Sequence, residues 1–225
     1  MPLLGKGMLI SRMDIAPEHE EDFNAWYDRE HLAERVAIPG FVEARRYVAI
    51  DASQKYLALY TTENFEVLDG PDYKAVLANQ TEWSLLNISR LVDPQRAIAR
   101  VSGSVGTGRA CNLIEARLRV SNANQEHLRQ ALCSGLRDLV SLNGIISAHL
   151  LESDEKLSMP IGATAPTVGS SDWFLFVDCT SLTSLEDVQS RIRQIVGDAE
   201  IVSWGTYACL WDVSRDELDP LPLHN

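Results

Sequence analysis

The stretch FNAWYDREHLAERVAIPGF, Phe23 to Phe41, gathers Trp26, Tyr27, Glu30, His31 and Arg35 within a few helical turns. His31 is the one side chain there whose ordinary pKa, about 6.5, lies near neutrality, which makes it the candidate general acid or base. Arg35 can hold an anionic or enolate oxygen, Tyr27 can donate a hydrogen bond, and Trp26 can stack on an apolar ring. Tyr27 and His31 are i,i+4 neighbours, as are His31 and Arg35 and also Trp26 and Glu30, so each pair can touch. At about 100° per residue, Phe23, Trp26, Tyr27, Glu30, His31, Glu34 and Ile38 share one broad face, whereas Leu32 and Val36 point elsewhere. Tyr60 offers a second hydroxyl and Trp83 a second ring for stacking. A helix that only packs needs none of the ionisable groups. Buried without partners they cost several kcal/mol, so an inward-facing set calls for a pocket. The plainer alternative is an aromatic core with solvated ion pairs, each worth under about 1 kcal/mol.

The chain that must position these groups has 225 residues, 45% hydrophobic and 23% charged, as an ordinary globular protein does. Thirty-two acidic residues against 20 basic give a net charge of -12, which repels a phosphate backbone unless a basic face is segregated. The close basic clusters, Arg45-Arg46 and Arg117/Arg119, sit inside alternating strand-like runs, so nucleic acid is not an expected partner. No run of about 18 apolar residues and no standard signal pattern occur, so the expectation is a cytoplasmic protein without a membrane partner. Cys111, Cys133, Cys179 and Cys209 show neither CxxC nor a nearby His at ligand spacing, so free thiols and no metal are expected. No Rossmann fingerprint, GxSxG or two-His-one-carboxylate spacing is present either.

The elements repeat. Pro39-Gly40-Phe41 and Asn143-Gly144-Ile145 each introduce an extended run, and 144 − 40 gives an offset of 104. That offset also matches Ile10 with Ile114, Leu32 with Leu136 and Val36 with Val140. The first copy reads as a strand at about 6–15, a helix to about 37 and strands at about 42–50 and 56–62. A helical region over 73–91, with a break in its pattern, and a strand near 97–105 complete it. The second reads as a strand at 112–120, a helix at 126–142, strands at 145–152 and 173–180, a helix at 185–196 and a strand at 201–213. Each copy is a βαββαβ ferredoxin-like unit, whose helices cover one sheet face and leave the other bare. The fold class expected is therefore α+β, a tandem duplication over 1–105 and 106–225. The two antiparallel sheets pack their open faces into one eight-stranded barrel. GSVGTGR, Gly103 to Arg109, lacks the Lys-Ser/Thr of a phosphate loop and reads as the linker. The Gly/Pro/Ser/Thr-rich segment 154–171 reads as a mobile loop. His127 and His149 read as surface and strand-end residues.

FNAWYDREHLAERVAIPGFVEARRY resembles the helix-and-strand signature of the EthD-like group in the dimeric α+β barrel superfamily, an aromatic W-Y-x-x-x-H helix followed by P-G-F and an Arg/Tyr-bearing strand. The resemblance covers about 25 residues. It implies a pocket between helices and sheet, with Trp26, Tyr27, His31 and Arg35 on the helix and Arg46 and Tyr47 on the strand. The second copy departs from it: the offset puts Gln130, Ala131, Gly135 and Leu139 at Trp26, Tyr27, His31 and Arg35. The first copy is thus the expected site and the second its structural partner, so only the first should have a cavity. His31, Tyr27 and Arg35 are the catalytic candidates; Trp26, Arg46, Tyr47, Tyr60 and Trp83 are the substrate-binding ones. The expected function is binding or conversion of a small aromatic or polyketide-like molecule by acid/base or cofactor-independent oxidative chemistry. A non-catalytic binding or stress-responsive barrel stays open as an alternative, as do a haem barrel with His31 as axial ligand and a homodimer.

Overall fold

The structure, a computed structural model, describes residues 3–121, 125–159, 169–197 and 199–218. β1 (Gly7–Ile15) leads through a short turn carrying Pro17 and Glu18 into α1 (Glu20–Trp26). Pro at the first turn and three following acids, Glu20, Glu21 and Asp22, suit a helix start. A π-helical turn (Tyr27–His31) and α2 (Leu32–Val36) continue the same rod. β2 (Phe41–Asp51) and β3 (Tyr56–Thr62) form a hairpin. The next helical region is broken into α3 (Pro71–Ala78) and α4 (Glu82–Ser89), with the Thr81 hydroxyl capping α4 by accepting from the Ser84 amide. β4 (Leu91–Gly106) ends the half. The second half follows as β5 (Asn112–Arg119), α5 (Gln125–Val140), β6 (Ile145–Ser153), β7 (Trp173–Cys179), α6 (Leu185–Val196) and β8 (Glu200–Ser214).

The strands close into one antiparallel barrel in the order β1-β3-β2-β8-β5-β7-β6-β4. Each half contributes a ferredoxin-like run of strands, and the halves join by hydrogen-bonded pairing of β2 with β8 and β4 with β6. Closure therefore uses the sheet edges as well as the bare faces, and it leaves no unpaired edge. The two halves share a backbone feature: Gly40 and Gly144 both take left-handed φ, 85° and 77°, where each helix turns into its strand. β4 begins at Leu91, several residues ahead of the expected start, because β1 carries a bulge between Arg12 and Asp14 that lets Ile15 and Asp14 pair with Leu91 and Val92. The expected loop 154–171 falls partly outside the described residues. Its start is tied to β4, where Asp154 N–H and the Ser158 hydroxyl both donate to the Ile98 carbonyl at 2.8 and 3.2 Å.

Alternation along each strand divides the side chains between two environments. Outward residues such as Leu9, Ala44 and Ile98 pack beneath the first-half helices, and Ile114, Ala116 and Leu175 do so in the second. Inward residues, among them Met8, Ile10, Tyr47, Leu57, Phe176 and Tyr207, fill the barrel. The interior also holds buried ions. Arg12 pairs with Glu115 and Arg45 donates to Asp178 at 3.2 Å, while the partly exposed Arg109 reaches in to the buried Glu43. His149 is inside too, 1% exposed, rather than at a strand end. Its Nδ1 lies 3.0 Å from the Ser104 hydroxyl and its Nε2 is 3.1 Å from the Ser147 hydroxyl and 3.4 Å from the Asp178 carboxylate.

A candidate ligand site beneath the first helix

The residues singled out on the first helix sit at a break in its hydrogen-bond ladder. The Leu32 amide donates to the Tyr27 carbonyl, an i→i+5 bond that adds one residue to the turn. This overturns the helical-wheel expectation for Leu32 and Val36: the extra residue rotates the following turn, and both are fully buried beside Trp26, Tyr27, His31 and Arg35. The π turn widens the inward face, so aromatic, ionisable and aliphatic groups all point at the sheet.

Packing and hydrogen bonds fix His31 from one side. Its ring stacks on Trp26 at 4.1 Å between centroids and 34° between planes, and meets Tyr27 edge-on at 5.0 Å. Trp26 Nε1 donates to the Ser84 hydroxyl at 3.1 Å, and that hydroxyl and the Thr81 hydroxyl both donate to Glu30 Oε1 at 3.1 and 2.6 Å. Glu30 thus ties the π turn to the start of α4. Trp26 and Glu30, expected to touch directly, are instead bridged by the Ser84 hydroxyl. Tyr27 is held by its hydroxyl's contact with Met13 Sδ at 3.5 Å and by the Arg46 guanidinium stacked 4.2 Å from its ring centre.

On the other side of His31 is a cleft of about 170 Å³ between the first helix, α3 and α4, β1 and β3. His31, Arg35, Tyr60, Gln80, Tyr73 and Arg96 bring polar atoms to it, and Leu9, Met13 and Leu77 supply apolar wall. His31 Nδ1, Arg35 Nη1, the Tyr60 hydroxyl and Gln80 Oε1 are all buried without a hydrogen-bond partner among the described residues. Buried polar atoms are nearly always satisfied, so four orphans around one small space mark a place for a ligand's own polar groups.

Burial, and secondarily the positive charges of Arg35 and Arg46, hold His31 well below its usual pKa, so the ring is neutral at neutral pH. Burial likewise raises Tyr60 well above the usual phenol range and keeps it a hydrogen-bond donor. His149 is lowered as well, by burial against the opposing pull of Asp178, with Arg45 adding to the lowering and Glu43 to the pull. Both histidines are therefore protonated more readily in the unfolded chain. Their contribution to stability is complete above the unfolded value near 6.5 and is lost as pH falls below it. Urea midpoints measured from pH 7.5 to 5 should fall, and His31→Gln should flatten part of that slope; an unchanged slope would place His31 in solvent.

The structure brings Trp26, Tyr27, His31, Arg35 and Tyr60 to the cleft and leaves three expected residues elsewhere. Arg46 lies behind Tyr27, bonded to Asn24 at 2.6 Å and to Asp28 at 3.2 Å, and influences His31 by charge alone. Tyr47, the next residue on the strand, faces the barrel interior, because neighbours on a strand point to opposite sides. Trp83 donates to Asp22 at 3.1 Å and packs on the helix outside the cleft. Arg96, Tyr73 and Gln80 are additions. Arg96 pairs in register with Ser11, one position ahead of the expected strand start, which is why the pattern passed it over.

In the second half the position equivalent to His31 is filled. Ile195 of α6 lies over Gly135, the counterpart of His31, so tightly that a Cβ there would come within 2.4 Å of its Cδ1. The expectation that only the first half has a cavity is overturned, because small and aliphatic residues fill the position of His31 but leave space beside it. A wider cleft of about 920 Å³ opens beside it, lined by Arg119, His127, Leu128, Ala131, Asp172 and Glu200.

No protein-family model and no curated protein sequence matches the chain. Solved structures do. An anthrone oxidase-like protein superposes with a TM-score of 0.66 at 12% identity, covering 95% of this chain and 94% of its own. A candidate monooxygenase from Lactobacillus acidophilus NCFM gives 0.61 at 9%, with 93% and 97% covered. Another from Fusobacterium nucleatum gives 0.59 at 8%, with 94% and 96%. At such identities the likeness is one of fold: the chain is an α+β barrel of two ferredoxin-like halves, built like these proteins from end to end.

Proposed function

We propose that the chain is an EthD-like barrel protein that binds and converts a small molecule in the first-half cleft, residues 1–105 carrying the site and 106–225 completing the barrel. The observation that carries this reading is the set of four orphaned polar atoms around the cleft. Neutral His31 is the general base: its unpaired Nδ1 takes a proton from an acidic O–H, or from a C–H beside a carbonyl. Arg35 and the Tyr60 hydroxyl then hold the oxygen on which negative charge develops. The names of the anthrone oxidase-like and monooxygenase structures support an oxidative outcome, which deprotonation to an electron-rich anion would prepare. Haem does not suit this cleft. A space of about 170 Å³ does not admit a porphyrin.

Deuterium exchange at the α carbons of a cyclic ketone, followed by NMR, tests the base without knowledge of the natural substrate. The protein should accelerate exchange, and His31→Gln should reduce the acceleration by about 10²-fold or more while shifting unfolding stability by less than about 1 kcal/mol. Equal rates in both proteins would remove His31 from the chemistry.

A further inference from the structure

Arg35 is the unusual cation of this molecule. It is 4% exposed, and it takes part in no ion pair among the described residues. The other arginines buried to this degree each have a carboxylate: Arg12 has Glu115, Arg45 has Asp178 and Arg46 has Asp28. Glu34, its neighbour in sequence, feels Arg35's charge but makes no ion pair with it and does not line the cleft. Arg96, across the cleft, is bonded among the described residues only to neutral groups, the Leu157 carbonyl at 2.6 Å and the Tyr73 hydroxyl at 3.4 Å. Among the described residues no Asp or Glu lines the space, in a chain whose net charge is -12. A buried guanidinium without a counter-charge costs several kcal/mol, so the arrangement is complete only when the occupant brings the negative charge.

The size of the space limits that occupant. A cavity of about 150 Å³ with aliphatic walls holds one benzene molecule. The cleft, about 170 Å³ with Leu9, Met13 and Leu77 in its wall, is on the same scale. We propose, building on the reading of this cleft as a ligand site, that its ligand is an organic oxyanion of single-ring size, its charged oxygen on Arg35 and the Tyr60 hydroxyl and its ring on the aliphatic wall. This excludes a multi-ring polyketide as the body held inside.

Benzoate and benzamide share shape and differ in charge, so calorimetric titration of each, with the His31 ring signals followed by NMR, separates the ideas. Benzoate should bind at least about tenfold more tightly than benzamide, a difference of about 1.4 kcal/mol, and should raise the pKa of His31. Arg35→Met, which keeps the apolar stem, should bring benzoate down to the level of benzamide; Arg35→Lys should retain part of the preference. If Arg35→Met does not fold, the Arg35→Lys and Arg96→Gln proteins carry the comparison, since each should narrow the preference. Equal affinities in the unaltered protein would overturn the anion while leaving the ligand site standing. Failure of both compounds to perturb His31 would overturn the site and the anion together.

Discussion

Glu115→Ala should destabilise the protein by about 3–5 kcal/mol, because it strands Arg12 inside the barrel. Arg12 and Glu115 are 4% and 3% exposed, and Arg12 Nε donates to Glu115 Oε2 at 3.2 Å alongside the shorter Nη2 contact. The guanidinium also lies 4.7 Å from the centre of the Phe174 ring, which holds it in place but cannot balance its charge. Each residue comes from a different half, so the pair spans the barrel and its loss is felt by both sheets. The double variant Arg12→Met/Glu115→Leu removes both charges at similar volume and should recover most of the loss, since a buried pair contributes little net stability over an apolar replacement. Urea unfolding of the single and double variants checks this. A loss below about 1 kcal/mol for Glu115→Ala would mean that water reaches the pair.

Trp26→Ala should cost a similar amount, about 3–5 kcal/mol, by emptying a fully buried aromatic position. It would also free His31, whose ring stacks on Trp26, and leave the Ser84 hydroxyl without its donor. Trp26→Phe keeps the stacking surface and loses only the indole N–H, so it should cost about 1–2 kcal/mol and leave the His31 resonances nearly in place. A stable Trp26→Ala protein with unmoved His31 signals would show that the stack does not position the imidazole.

The residues explain why parts of this architecture were legible in the sequence and others were not. The matching order of elements in the two halves could be read because Pro-Gly-Phe and Asn-Gly-Ile mark positions where a left-handed turn follows each helix. The aromatic and ionisable helix could be read because its residue types are wrong for plain packing. The π turn could not: one hydrogen bond that skips a residue leaves no residue type behind, so Leu32 and Val36 were given the wrong face. Arg46 and Tyr47 were grouped by resemblance, although strand alternation already separates them. Which edges join, β2 to β8 and β4 to β6, depends on contacts between distant segments and has no local mark.

The closure of the barrel also constrains the order in which the chain can fold. β2 pairs with β3 and with β8, and β4 pairs with β1 and with β6, so Glu43 finds Ser214 only when almost the whole described chain is available. During synthesis the first half emerges with two open strand edges that the second half has yet to cover. Pairings across such sequence distances are slow to form, and an open edge recruits any strand that arrives first, including that of another nascent copy. Covalent tandem linkage answers this by supplying the correct partner at high effective concentration, so correct assembly becomes independent of how much protein the cell holds.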